Sequence, residues 1–211
     1  KTKSGEEADG LYHAACEKYK AAVDIKPDEH DVLNSWGVAL CGQAKTKSGD
    51  EADGLHHAAC EKYKAAVEIK SDDHGALYNW GSTLSRLAST RRGEEADVLY
   101  RAACEKYKAS VAIRPDYRAA LNNWGAALLD RAASKSGEAR DRLLGEARQK
   151  LLQAESLLSG SGSYNLACVS ALEGDAPECL KWLESSLAHG KLPDRAHIEA
   201  DTDFESVRGE A

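Results

Sequence analysis

The sequence has no methionine, a single phenylalanine, and aromatic residues at only 6% of its 211 positions. Its core therefore has to be built from Ala, Leu, Val, Tyr, Trp and Cys, and alanine-rich interfaces require helices that approach closely. No run of about 18 apolar residues occurs, which excludes a membrane-spanning helix, and no charged-then-apolar signal segment opens the chain. A cationic surplus is missing too: 35 acidic residues stand against 28 basic ones, a net charge of −7. That is the wrong sign for a surface that displaces counterions from phosphates, and it excludes nucleic acid as the expected partner. A nucleophile elbow, a zinc-binding helix motif, a redox cysteine pair and a phosphate loop are all absent. The expectation is a non-enzyme with no cofactor and no metal.

What is present is a repeat. Ala103, Tyr107 and Trp124 lie 44 residues after Ala59, Tyr63 and Trp80, which lie 44 after Ala15, Tyr19 and Trp36. Residues 1–28 and 45–72 differ at only four positions. A fixed period of this size without strand-like alternation marks stacked helical hairpins that bury one continuous core between neighbours. The period divides the chain, read as one all-α solenoid, into a lone second helix (1–28), three elongated units (29–70, 73–114 and 116–158), a shorter unit (161–190) and a closing tail (191–211). A start at Lys1 inside a unit, without Met, is expected of a piece excised from a longer chain.

Within a unit the long helix carries apolar residues at helical spacing, as in Leu11, Ala15, Cys16, Tyr19, Ala22, Val23 and Ile25. Ser4 with Glu7, and Ser48 with Glu51, fit a capping box; Arg92 replaces the capping serine in the third copy and predicts a looser start there. Pro27 stops the first helix, and Ser71 stands where the second copy should have its proline. The shorter helix repeats a quartet: Leu33, Trp36, Gly37, Leu40; Leu77, Trp80, Gly81, Leu84; Leu121, Trp124, Gly125, Leu128. A mid-helix glycine costs about 1 kcal/mol against alanine, so its recurrence predicts that it admits a neighbouring backbone. Ser159–Ser163, SGSGS, reads as a short flexible join. A compact hairpin follows, with Gly174 and Asp175 at the turn and Pro177 opening its second helix. In the tail, Leu192, Ile198, Phe204 and Val207 are available to cover it.

Cys16, Cys60 and Cys104 occupy one repeat position. Packed helices lie roughly 10 Å apart and a disulfide needs Cα atoms within about 7 Å, so these cysteines are expected to be buried fillers in a cytoplasmic or other reducing intracellular compartment. His13 with Cys16 and His57 with Cys60 have a ligand-like spacing, but Arg101 breaks the pattern and the histidines read as solvated. Asp201 and Asp203 read as helix caps, not as metal ligands.

The quartet Leu121, Trp124, Gly125, Leu128, with Ala147, Leu151 and Ala154 after it and Ala103, Tyr107, Ser110 and Pro115 before it, resembles the tetratricopeptide repeat, here with about ten residues inserted per unit. The likeness covers residues 1–190. It implies a right-handed superhelix with a terminal capping helix, whose first helices line a concave groove for a peptide or partner helix. On that groove it places Asn34, Val38, Tyr78, Asn79, Ser82, Arg86, Asn122, Asn123, Ala126, Tyr164 and Asn165, together with Cys41, Ser85, Leu129 and Cys168. Asn79, Asn123 and Asn165 resemble the family asparagine that holds a ligand's backbone. The carboxylate clamp of co-chaperones wants a lysine one turn from an asparagine; Asn34 is followed instead by Val38. The implied function is a protein-interaction scaffold. The alternatives are self-association through the apolar face of residues 11–25, or a domain similar to the plant-type import receptor of the mitochondrial outer membrane.

Overall fold

The structure is a computed structural model that describes residues 3–209. Among the described residues there are helices and turns and no strand. Two compact units form, Lys1–Pro115 and Asp116–Ala211. The first holds α1 (Lys3–Ile25), α2 (His30–Ala44), α3 (Gly49–Ile69), α4 (His74–Ser89) and α5 (Gly93–Ile113). The second holds α6 (Arg118–Ala132), α7 (Gly137–Leu157), α8 (Ser163–Leu172), α9 (Ala176–Ala188), α10 (Arg195–Ala200) and a 3-10 turn at Thr202–Phe204.

In the first unit each helix packs on the next in sequence, and α2 also lies beside α4. Alanine makes this possible: Ala59, Ala66, Ala76, Ala88 and Ala103 are fully buried, and a methyl group lets two backbones approach where a larger side chain would hold them apart. Cys16, Ala39, Leu40, Ala59 and Tyr63 form one core cluster with Tyr19, Trp36 and Trp80 packed around it.

The helical glycines do not meet a neighbouring backbone. A Cβ on Gly37 would lie 2.5 Å from the ring of Tyr63, and one on Gly81 2.8 Å from the ring of Tyr107. In the third copy Gly125 faces Leu151 at 2.5 Å. The glycine is there to seat the large side chain of the partner helix. Beside it each tryptophan lies under a lysine from that same helix, with Lys62, Lys106 and Lys150 at 3.9, 3.9 and 4.5 Å from the rings of Trp36, Trp80 and Trp124. The three indoles thus share one environment. Such cation–ring contacts contribute about 0.5–1 kcal/mol when exposed.

Helix starts depart from the expected capping box. Ser48 is extended and its side chain makes no capping bond, while Glu51 accepts from Lys47 at 2.9 Å. The chain turns instead through a left-handed glycine, Gly49, Gly93 or Gly137, with φ of +57°, +62° and +56°, a conformation glycine adopts without a Cβ penalty. Arg92 therefore does not loosen the α5 start, since the residue before the glycine contributes no cap in any copy. Ser4, expected to cap the first helix, lies within α1, and its side chain is not among those described. Ser71 does not move the helix boundary either: α3 ends at Ile69 where α5, with its Pro115, ends at Ile113.

A cation at each of the first two of these turns ties one long helix to the next. Lys47 bonds Asp9 of α1 at 3.0 Å as well as Glu51 of α3, and Arg91 bonds Asp53 of α3 at 2.7 Å and Glu95 of α5 at 2.8 Å.

In the second unit the SGSGS segment is tethered, which corrects its reading as a flexible join. The Glu155 carboxylate accepts from the backbone N–H groups of Gly160 (2.7 Å) and Gly162 (2.8 Å) and from the Ser163 hydroxyl (2.9 Å). Burial alone would raise the Glu155 pKa, but these three donors outweigh it and hold it below the usual carboxylate range. Of the tail, Phe204 is the buried plug at 4% exposure, edge-on to Tyr164, while Leu192, Ile198 and Val207 stay half-buried. All six cysteines are free thiols. Burial pushes Cys60 up to about 12. Among the described residues no helix is long and apolar enough to cross a membrane.

Candidate functional site

In the first unit, α2 and α4 supply most of the wall of a cavity of about 310 Å³, and α1 and α3 close it. Its floor is an ordered chain of hydrogen bonds. Thr83 donates its hydroxyl hydrogen to the carbonyl of Asn79 at 2.9 Å. Its oxygen is then left to accept from the Cys41 thiol at 3.2 Å, and the Cys41 sulfur to accept from the Tyr63 hydroxyl at 3.7 Å. Burial, and then the neighbouring Cys41, push the Tyr63 pKa up, so the phenol remains protonated. The Asn79 amide donates across the unit to Asn34 Oδ1 at 3.0 Å.

Above this floor stand Val38, half-exposed at 50%, with Ser82, Lys45 and Arg86. Tyr12 reaches in from α1 with its ring pressed on Gly42, where a Cβ would lie 2.2 Å away. His56 comes from α3. It is only 6% exposed, and its Nδ1 is buried without a hydrogen-bond partner among the described residues. Burial first and Arg86 second hold its pKa below the usual histidine range, so it is neutral near pH 7. A buried nitrogen without an acceptor is tolerated better as a bare lone pair than as an N–H, which puts the hydrogen on Nε2.

The second unit holds a cavity of about 370 Å³ between α6, α8 and the SGSGS turn, lined by Arg118, Asn122, Asn123, Tyr164, Asn165 and Lys191 among others. Here too an amide pair forms, Asn165 Nδ2 donating to Asn122 Oδ1 at 3.1 Å. The Tyr164 hydroxyl donates to Asp201 at 2.6 Å, and burial first, then this bond, raise its pKa. A third cavity, about 370 Å³, is lined by His57, Leu87, Arg91, Glu94, Glu95, Val98 and Leu99; its one arginine is already bound by Asp53 and Glu95.

Of the residues singled out in the sequence, Val38, Cys41, Asn79, Ser82 and Arg86 come together in the first cavity, and Asn122, Asn123, Tyr164 and Asn165 in the second. Asn34 supports Asn79 from the side, Tyr78 packs on Tyr107 with ring centroids 6.1 Å apart, and Ala126 lines neither cavity. Ser85 Oγ lies 3.3 Å from the Tyr107 hydroxyl. Leu129 and Cys168, also assigned to the groove, are buried at 5% and 2% exposure and cannot face a ligand. Both point from their helices into the core. Sequence reasoning missed Tyr12, Lys45, His56 and Thr83 in the first cavity and Arg118 and Lys191 in the second. A signal existed for two of these: Tyr12 and His56 stand at one of the four positions where the near-identical segments diverge.

Among the described residues, two groups could offer three ligand atoms to a cation: His30, Asp31 and Asp73, and Cys168, Asp201 and Asp203. Both contain carboxylates already employed structurally. Asp73 caps α4 through the Ala76 N–H at 2.9 Å. Asp201 caps the 3-10 turn through the Asp203 N–H at 3.0 Å, as expected, and accepts from Tyr164. Asp203 is no cap; burial and the Asp201 charge push its pKa to about 6.

No protein-family model matches the chain, and no curated protein matches it in sequence. Solved structures do match in shape. The crystal structure of MamA aligns with a TM-score of 0.65 over 90% of this chain and 96% of that one, at 17% identity. TTC0263, a thermophilic tetratricopeptide protein of Thermus thermophilus, aligns at 0.58 over 96% and 95%, with 19% identity. PilW, a type IV pilus biogenesis factor, aligns at 0.61 over 96% and 80%, with 15% identity. At such identities the likeness concerns the fold, and the fold is that of a tetratricopeptide-repeat protein.

Proposed function

Proceeding from the tetratricopeptide fold, we propose that the chain is a non-catalytic scaffold that binds an extended peptide or partner segment on the faces of α2 with α4 and of α6 with α8. The observation that carries this reading is the wall of the first cavity. Asn79 and Ser82 offer donors and acceptors beside the half-exposed Val38, over a buried floor of Thr83 and Tyr63, a mixture suited to peptide groups and short apolar side chains. Tyr63, Cys41 and Thr83 are bonded to one another, so the wall is ordered before a ligand arrives and less entropy is lost on binding.

A photo-crosslinking amino acid at Val38, compared with one at Val98 in the glutamate-lined cavity, tests the reading with a random-sequence peptide pool as probe. Adducts are expected at position 38 and not at 98. Labelling confined to 98, or none at either position, would contradict it.

Self-association is a second reading, favoured by Leu11 and Ile25, which are 69% and 86% exposed and lie on one stripe of α1 four turns apart. Most of the rest of that helix's apolar set is engaged, Ala15, Cys16 and Tyr19 in one cluster and Val23 in another. A sedimentation series decides it: dimers that disappear in the double substitution Leu11→Glu and Ile25→Glu support this reading, and a monomer at every concentration removes it.

A further inference from the structure

Seven more acids than bases are distributed over this chain, yet among the described residues neither cavity on the α2/α4 and α6/α8 faces has an aspartate or glutamate in its lining. Each has two cations instead: Lys45 and Arg86 in the first, Arg118 and Lys191 in the second. From these observations and the unpartnered His56 we infer that the first cavity is a subsite for an anionic side chain of the bound peptide, in the first instance the carboxylate of a glutamate or aspartate. The inference rests on the peptide-binding reading and specifies its ligand.

The contrast with the neighbouring cations is what carries it. Lys47 and Arg91 lie a few residues from Lys45 and Arg86, and each of them is held by two carboxylates from different helices. The side chains of Lys45 and Arg86, both exposed, have no ion-pair or hydrogen-bond partner among the described residues. The acid that acts on His56, Asp53, is bonded to Arg91 at 2.7 Å and does not line the cavity. Arg86 sits in the last turn of α4 and Lys45 is the C-cap of α2. The helix dipoles favour a cation at both places, but that interaction leaves their side-chain N–H groups unbonded at the rim of the cavity they line. Guanidinium presents a planar fork that matches a carboxylate with two parallel bonds.

His56 supplies the neutral part of the site. With Nδ1 enclosed and unbonded and the hydrogen on Nε2, the imidazole presents a donor to the cavity it lines, and neutrality spares it the cost of burying a positive charge beside two exposed cations. Tyr12 closes the α1 side. A carboxylate entering here finds two cations, an imidazole N–H and the Ser82 hydroxyl. A lysine side chain would meet two like charges and no acceptor carboxylate.

The test uses fluorescence anisotropy with the full chain and four nine-residue peptide pools, identical except that the central position is Glu, phosphoserine, Gln or Lys. The Glu pool is expected to bind roughly tenfold tighter than the Gln pool, the worth of one charge-assisted contact pair, and the Lys pool weakest. The advantage should disappear in Lys45→Ala/Arg86→Ala, whose exposed positions leave the fold intact by circular dichroism, and should persist in Lys47→Ala as a control. Tighter binding of phosphoserine than of Glu assigns the same subsite to a phosphate. Equal binding of the Glu and Gln pools, or an advantage that survives the double substitution, overturns the inference and leaves the peptide-binding reading standing. Binding of no pool overturns both.

Discussion

Gly37 and Tyr63 are fitted to each other: the tyrosine ring occupies the volume that a β-carbon on residue 37 would need, with Cε1 2.5 Å from it. Tyr63 is only 2% exposed and its hydroxyl is bonded to Cys41, so the ring cannot yield. Gly37→Ala is therefore expected to destabilise the chain by about 1–3 kcal/mol through overpacking, despite the better helix propensity of alanine. Gly54, with nothing within 4 Å of its Cβ position, is the matched control. There the same substitution should stabilise by roughly 0.5–1 kcal/mol. Urea denaturation of both variants measures the pair; equal effects would refute the fitted-ring account.

Trp36 contributes chiefly ring area, since its buried Nε1 makes no hydrogen bond of ordinary geometry among the described residues and has only the Cys16 sulfur as a weak acceptor. Trp36→Phe keeps a ring under Lys62 and removes a poorly satisfied donor, so its cost should be about 1 kcal/mol or less. Trp36→Ala should cost about 3 kcal/mol. Thermal unfolding compares the two, and a large loss with phenylalanine would mean that the indole N–H has a strong partner.

Glu155 organises the SGSGS turn through three donors. Its folded pKa lies below the ordinary value, so the stability it contributes is present above the unfolded pKa and is lost as pH falls through the folded one. Glu155→Gln should cost about 1–2 kcal/mol at pH 7, and less at pH 3. Chemical denaturation at the two values checks it, with an equal cost at both as the contrary result.

Asp203 runs the other way. Burial and Asp201 raise its pKa to about 6, with Cys168 and Arg140 acting against the shift and Asp130 adding to it. The folded state then binds a proton more readily than the unfolded chain, so stability declines as pH rises from about 4 to 6 and is level beyond. Asp203→Asn should add roughly 1–2 kcal/mol at pH 7, a figure reduced for the group's partial exposure, and nothing near pH 3.5. A uniform gain across pH would disprove the titration.

The helices were legible in the sequence because the 44-residue period repeats every packing decision; Trp36, Trp80 and Trp124 mark one position, and the three structures there agree. What stands opposite Gly37 was not legible, since its neighbour, Tyr63, is 26 residues away in the sequence. The serine caps misled because Ser48 precedes a glycine that turns left-handed and directs the chain without a side-chain bond. Half of the first cavity could be read by following the equivalent faces of two helices, through Val38 on α2 and through Asn79, Ser82 and Arg86 on α4. Its other half, Tyr12, Lys45 and His56, comes from α1, from α3 and from the residue just past α2, and only tertiary packing brings those to the face.

The most direct measurement is backbone-amide hydrogen exchange of the chain with and without the glutamate-centred peptide pool. Slowed exchange concentrated in residues 38–45 and 79–86 is the predicted result. Protection confined to the glutamate-lined surface around Val98, or none anywhere, would contradict the placement of the ligand on the α2/α4 face.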